Sequence, residues 1–371
     1  DMTCLKGFIM VRKFNFNPGP ATLPYSVLEK AHSEFLDFQN SGMSLMEMSH
    51  RSKNFDAILE NTKNNLRTIL SVPEDYEIIF MGGGASTQFA MIPMNFLGAD
   101  QTADYVNTGV WSTRAIKEGK LFGKVNIAAS SEETKFDRIP TEFNFSENAT
   151  YVHITTNNTI YGTQYKTFPN VGNVPLLADA SSDFMSTKID ISKFSIMYAG
   201  AQKNAGPAGV TVIIIKKSML DRVVDRPIPT MLKYSTHVSK NSLYNTPPVY
   251  PIYMVGLVAE WILEQGGIEK IQAMNEAKAK LVYDVMDEMG DYYHGTVQKD
   301  SRSLMNIPFR LSSEDLEKKF LAESAEKNLH GLKGHRDVGG IRASIYNAMP
   351  IEGVEALATF MKEFAAANPK A

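Results

Sequence analysis

Seven short, apolar, β-rich runs alternate with segments of helical period, and this predicts an α/β fold with a mostly parallel seven-stranded sheet covered on both faces. The runs begin near residues 76, 104, 125, 151, 174, 194 and 210. A second observation agrees. The polar and glycine-rich loops follow directly on these runs, where open parallel sheets bind ligands. A third is the change of pattern after residue 261, from the large alternating unit to a strand–helix–strand–helix order that reads as a smaller α+β unit. The 371 residues are enough for two or three domains. The expected division is 1–22 as an extension and a segment joining the small unit, 23–261 as the large domain, and 262–371 as the small one.

Phe14–Pro20 (FNFNPGP) is a rigid, turn-rich opening. Pro24–Phe38 carries Leu28, Ala31, Phe35 and Phe38 near helical spacing, and the helix from about Asn54 to Leu70 buries Phe55, Ile58, Leu59, Leu66 and Leu70. His50 and Arg51 stand just ahead of that helix, as an anion clamp or as an exposed polar turn. Tyr76–Met81 is a strand. It runs into Gly82-Gly83-Gly84-Ala85-Ser86-Thr87 and a helix over Gln88–Phe96. Strand, glycine loop and helix aim free backbone N–H groups at a phosphate. A flexible turn is the alternative, and the run matches neither a dinucleotide fingerprint nor a Walker loop.

Asp104–Asn107 leads to Trp111, whose indole either stacks on a planar ring or packs in the core. Val125–Ala128 and Thr150–Thr155 follow, the latter ending in the polar loop Thr156–Gly162 that holds Thr159. Val174–Ala178 ends at Asp179. A carboxylate after so apolar a strand needs a partner. That partner is a local hydroxyl or helix start, or else a cationic ring nitrogen.

Phe194–Ala199 and Val210–Ile215 enclose Gly200–Gly209, with Lys203 set among small residues. A lysine kept from water there loses its charge more easily and becomes an amine nucleophile towards carbonyl carbon. The other reading is a solvated loop lysine. Arg226–Pro251 is Pro-rich and irregular, a candidate contact for a second subunit. A helix from near Tyr253 past Trp261 and another over Ile268–Met289 are separated at Gly266-Gly267. The small unit reads as strand Ser303–Leu311, helix Glu314–Lys327, strand Gly340–Tyr346 and helix Ile351–Ala366. Within it, His335, Arg336 and Arg342 surround paired glycines, and arginine forks bind carboxylate or phosphate bidentately.

Composition excludes little but points one way. Hydrophobic content of 43%, charge content of 21% and net charge −3 describe an ordinary globular chain with no general call for nucleic acid or an anionic membrane. No apolar run approaches the ~18 residues that span a bilayer. Cys4 is the only cysteine. It rules out an intrachain disulfide and a cysteine metal cluster, no metal site is expected, and a reducing cytoplasm is the expected location. The leader Asp1–Arg12 has no convincing signal-peptide core, and its first nine residues are taken as a flexible or non-native extension.

Nine stretches together carry a resemblance. They are FNFNPGP at Phe14–Pro20, SHRS at Ser49–Ser52, GGGAS at Gly82–Ser86, NTGVWS at Asn107–Ser112, NNTIYGTQ at Asn157–Gln164, ADASS at Ala178–Ser182, GAQKNAGPAG at Gly200–Gly209, NTPP at Asn245–Pro248 and GHRDVGGIRAS at Gly334–Ser344. After Val11 the chain resembles the phosphoserine aminotransferase family, pyridoxal 5'-phosphate (PLP) enzymes of fold-type I, class V. The resemblance implies that Lys203 is the Schiff-base lysine, and that Asp179 holds the pyridinium nitrogen. It implies that Trp111 stacks on the ring and that Thr159 lies beside the ring oxygen. Gly84, Ala85 and Gln202 would hold the cofactor phosphate, with Asn245 and Thr246 reaching in from a partner subunit. Ala85 stands where some members carry arginine, so the phosphate cup leans on backbone N–H groups and Ser86. Arg342 would fork onto the α-carboxylate. His335 and Arg336, with His50 and Arg51 of the other chain, would hold the substrate phosphate.

The implied enzyme is a homodimer with shared active sites. It passes an amino group between L-glutamate and 3-phosphohydroxypyruvate by a ping-pong course, giving O-phospho-L-serine and 2-oxoglutarate for serine biosynthesis. The 4-phosphohydroxy-L-threonine step of vitamin B6 synthesis shares this chemistry. A cysteine desulfurase needs a mobile cysteine that Cys4 cannot supply. A nucleotide-dependent oxidoreductase lacks its GxGxxG, and a cofactorless binding module leaves the Lys203 setting unexplained.

Overall fold

All seven apolar runs pair into one sheet in the computed structural model, which describes residues 12–369. Cys4 and the leader up to Val11 lie outside the described residues. In chain order the elements are β1 (Phe14–Asn15), α1 (Tyr25–Ser33), α2 (Lys53–Leu70), β2 (Tyr76–Met81), α3 (Gly84–Phe96), β3 (Thr102–Asn107), α4 (Val110–Gly119), β4 (Lys124–Ser130), β5 (Val152–Thr155), β6 (Leu176–Asp179), β7 (Ile196–Gly200) and β8 (Thr211–Lys216). Then come α5 (Tyr234–Ser239), α6 (Val249–Glu264), α7 (Ile268–Glu288), β9 (His294–Gly295), β10 (Asn306–Arg310), α8 (Glu314–Glu326), β11 (Leu329–His330), β12 (Ile341–Ser344) and α9 (Ile351–Ala367).

The large sheet runs β2-β8-β7-β6-β5-β3-β4. β3, β4, β5, β6 and β7 pair in parallel, whereas β8 is antiparallel to both β7 and β2. Chain length explains the exception. A parallel return needs a crossover of about a dozen residues or more, and β7 and β8 are joined by residues 201–210 alone, with no helix. Side chains alternate between faces, as the strand period requires. Ile78, Val152, Leu176, Met197 and Val212 join one apolar cluster with Phe55 and Leu59 of α2 and Ile252 and Val258 of α6. Ile79, Tyr105, Leu177, Tyr198 and Ile213 join another with Phe89 and Ile92 of α3 and Ile116 of α4. Helices thus cover both faces.

A separate cluster gathers apolar residues of α7, β10, α8, β12 and α9. The chain's opening belongs to it: Phe16 is part of that core, and β1 pairs in parallel with β11. Ser52 caps α2 by accepting from Phe55 N, and Ser313 caps α8 by accepting from Leu316 N.

The helices differ from the sequence reading at these places. The first helix stops at Ser33, not Phe38, and a short 3-10 turn at Phe38–Asn40 follows. The helix expected from Gln88 begins at Gly84, so part of the glycine loop is its first turn. The irregular stretch 226–251 contains α5, and α6 begins inside it at Val249 rather than near Tyr253. The short α5 carries no repeated apolar face for periodicity to reveal.

Gly162 shows how tightly the two bodies meet. It sits at φ +78°, and a Cβ there would lie 2.3 Å from Pro308 Cδ of β10. We predict that Gly162→Ala lowers unfolding stability by roughly 2–5 kcal/mol, from left-handed strain plus the clash. An unchanged denaturant midpoint would mean that the loop yields freely.

Candidate active site

Five of the strands, β2, β3, β5, β6 and β7, end at one cavity of about 360 Å³. Its wall includes Gly83–Ser86 after β2, Trp111 after β3, Thr155, Asn157 and Thr159 at and after β5, Asp179, Ser181 and Ser182 at and after β6, and Gln202 and Lys203 after β7. Pro18 and Gly19 close it from the N-terminal segment, and His335 and Arg342 from the small body. A larger groove of about 840 Å³ lies elsewhere, between the N-terminal segment, α6 and α7, and holds none of these residues.

Lys203 is buried, 9% exposed, so the solvated-loop reading does not hold. Its Nζ donates to Thr159 Oγ1 at 2.7 Å and lies 5.8 Å from the Trp111 ring centroid. Burial lowers its pKa to about 8, against the pull of the Asp179 charge in the other direction. Asp179 is the last residue of β6 and is also buried. Burial raises its pKa, while Ser181 and Lys203 oppose the rise; its Oδ1 accepts from Ser181 N at 2.9 Å.

Arg342 is buried on β12 and donates from Nη1 to the Thr159 carbonyl at 3.1 Å. Among the described residues its Nε has no partner, and neither do Trp111 Nε1 and Thr155 Oγ1. His335 lies 3.4 Å from Asp337, and burial with nearby Arg342, Arg336 and Arg114 lowers its pKa despite that carboxylate.

α3 starts at the cavity wall without a side-chain cap, so its first N–H groups are free to receive an anion. A Cβ on Gly84 would meet open space. Its φ of +64° is what selects glycine there.

Five expected residues are not in the cavity of this chain. Asn245 and Thr246 are exposed after α5, and Arg51 is exposed in the turn before α2, with His50 half-buried beside it. Arg336 is largely exposed beside Asp337. The sequence reading missed Pro18, Gly19, Thr155, Ser181 and Ser182 as wall residues. Thr155, Ser181 and Ser182 satisfy the same strand-end rule that picked out their neighbours, whereas nothing local marks Pro18 or Gly19. Arg114, 4.8 Å above the Trp111 ring, was legible as the residue one helical turn on.

The family model for aminotransferase class-V matches residues 13–357. The phosphoserine aminotransferase of Desulfatibacillum aliphaticivorans is 58% identical over 359 residues, which cover 96% of this chain and 99% of that protein. This chain belongs to the class-V aminotransferases, in their phosphoserine aminotransferase family. Its fold agrees. The solved phosphoserine aminotransferase of Bacillus circulans subsp. alkalophilus superposes with TM-score 0.94 at 52% identity, covering 96% of this chain and 99% of that one. That of Trichomonas vaginalis, solved with PLP bound, superposes with TM-score 0.90 at 39% identity, covering 95% and 100%. PLP is the cofactor of this family, and the residues present fit it: a buried amine, a buried carboxylate, an aromatic wall and an uncapped helix start face one another across the cavity. Among the described residues no helix is long and apolar enough to cross a membrane, and no cluster of three or more His, Cys, Asp or Glu could hold a metal ion.

One prediction follows from the Lys203 environment alone. In cofactor-free protein, trapping of a small neutral aldehyde on Lys203 by borohydride rises with pH through a midpoint near 8, not near the ordinary 10.5. Asp179→Asn removes a charge that favours the protonated amine, so the midpoint moves lower still. Peptide mass mapping across a pH series reads both; an upward shift in the variant would contradict this electrostatic account.

Proposed function

We propose that this chain is a PLP-dependent transaminase that moves the amino group of L-glutamate to 3-phosphohydroxypyruvate, giving O-phospho-L-serine and 2-oxoglutarate. The observation that supports it most is the Lys203 amine, buried, partly neutral near pH 8 and facing Asp179 in a cavity at the strand ends. Bound PLP supplies a carbonyl carbon for the amino group and a ring that takes up the electron pair left by the α-proton.

The chain's residues do the rest. Lys203 is the amine that would hold the cofactor carbonyl. Where it is not bonded to the cofactor, Nζ would take the α-proton and later return it, and a pKa near 8 suits both transfers. Asp179 would hold the ring nitrogen, and a cation there would favour its charged form over burial. Trp111 offers the aromatic wall on which the ring would stack. Gly84, Ala85, Ser86 and Gln202 offer the phosphate cup. Arg342 presents its fork to the α-carboxylate.

His335 offers a way to accept either a γ-carboxylate or a phosphate. Neighbouring arginines and burial keep it neutral more readily, and a dianion placed beside it draws the proton back. The phosphate site is completed by Arg336 with His50 and Arg51 of a second copy, and the cofactor phosphate by Asn245 and Thr246 of that copy. Exposed apolar side chains at Phe35, Leu36, Met43 and Met46, in the segment that leads to His50, support such a dimer, because a second copy would take them from water.

Two experiments test the reading. Borohydride reduction of the PLP-loaded chain fixes the cofactor on the Lys203 peptide, and Lys203→Ala abolishes both the visible absorption band and turnover. Attachment at any other lysine overturns the assignment. For the shared site, neither Lys203→Ala nor Arg51→Ala protein is active alone. After subunit exchange the mixture regains about a quarter of wild-type activity, because each mixed dimer has one intact site. Recovery of none would place Arg51 in its own chain's site.

A further inference from the structure

Lys278 lies on α7 with its side chain 1% exposed, outside the cavity just described. Its Nζ is surrounded by the backbone carbonyls of Ile345 at 3.2 Å, Tyr346 at 2.7 Å, Asn347 at 3.3 Å and Met349 at 3.1 Å. A lysine ammonium has three N–H donors and no acceptor, so the cage can engage all of them. Burial pulls its pKa down to about 7, and among the described residues no charged neighbour offsets the pull. Carbonyl dipoles stand in for a counter-charge.

Those carbonyls belong to one turn, 345–349, which leaves β12, the strand of Arg342. The turn also reaches the large body. Asn347 N donates to Asn204 Oδ1 at 3.0 Å, directly after Lys203, and Asn347 Nδ2 donates to Met185 O at 2.7 Å. Asn275, on the same face of α7 as Lys278, donates to Asn347 Oδ1 at 2.8 Å. Helix α7 therefore grips, through two side chains, the turn that links the strand of Arg342 to the loop of Lys203.

We propose that Lys278 is a positioning residue for the amino-acid substrate: its caged amino group fixes the turn that sets Arg342 against Lys203. The proposal rests on the assignment of Arg342 to the α-carboxylate. Lys278 never touches substrate, so its loss acts on binding geometry and leaves the proton transfer at Lys203 in place.

The test uses the PLP-loaded enzyme. Lys278→Met keeps the length and removes the charge; KM for L-glutamate and for 3-phosphohydroxypyruvate each rise about tenfold, while kcat falls less than about threefold. Lys278→Ala leaves the cage open to the 840 Å³ groove that Lys278, Asn347 and Met349 help to line. There n-propylammonium replaces the missing amine and lowers KM in a dose-dependent manner, whereas n-propanol does not. Unchanged KM in the Met variant, no rescue by the amine, or equal rescue by the alcohol overturns the proposal. Should both Lys278 variants fail to fold, Asn275→Ala decides, since it removes the other of the two α7 side chains that hold the turn while the cage stays; an unchanged KM there means that loosening the grip of α7 on the turn does not reach Arg342, which is equally fatal. Borohydride tagging of Lys203 in the wild type keeps the two readings apart: its failure defeats the proposed function, whatever Lys278 does.

Discussion

Burial outweighs mutual attraction at the centre of this site. Lys203 and Asp179 each favour the other's charge, yet each is pushed towards its neutral form by removal from water. Neither relieves the other by contact. Lys203 gives its hydrogen bond to Thr159, and Asp179 takes one from Ser181. Such a pair is expensive for the protein alone. It becomes favourable when a carbonyl carbon bonds the amine and a ring cation meets the carboxylate. The electrostatic tension therefore has a direction, towards a ligand with an electrophile at one end and a protonated nitrogen at the other, which is a sharper requirement than cavity shape imposes.

Thr159 is where that tension meets the substrate side. Its hydroxyl accepts from Lys203 and its carbonyl accepts from Arg342, so one residue sets the separation of the buried amine from the cationic fork. The loop that carries it is in turn pinned. Gly162 lies against Pro308, and Asn158 bonds Thr108 and Thr163. A shift of the small body is thus felt at Lys203 through a path of two hydrogen bonds.

The strands and the strand-end residues were legible in the sequence because both follow local rules. Tyr76–Met81 or Thr211–Lys216 is apolar on both faces, as a covered sheet demands, and Asp179 and Lys203 stand where such strands must stop. The reversed direction of β8 was also within reach, since the loop before it is too short for a crossover. Non-local placement was not. Pro18 and Gly19 reach the cavity because Phe16 packs into the small body's core and Tyr346 Oη donates to the Pro18 carbonyl at 2.7 Å, a contact across most of the chain. The caged Lys278 looked like any polar-face helix lysine. For Asn245, Thr246, His50 and Arg51, a family resemblance assigned roles that this chain alone does not place at its own cavity.

The two bodies are joined at the site by amides and hydroxyls. Asn157 donates to Ser182 Oγ and Asn306 Oδ1, both at 2.8 Å, and Asn306 donates to Ser344 Oγ at 3.0 Å and Tyr346 Oη at 3.1 Å. An apolar seam would be non-directional and would tolerate sliding. A buried polar seam does not, because each donor or acceptor left without its partner costs ~1–3 kcal/mol. Such a seam has few acceptable registers, and intermediate ones strand several groups at once. That property suits an enzyme whose Arg342 and Lys203 come from different bodies. It holds their separation to a narrow range, and any larger movement of the small body must exchange one full set of hydrogen bonds for another.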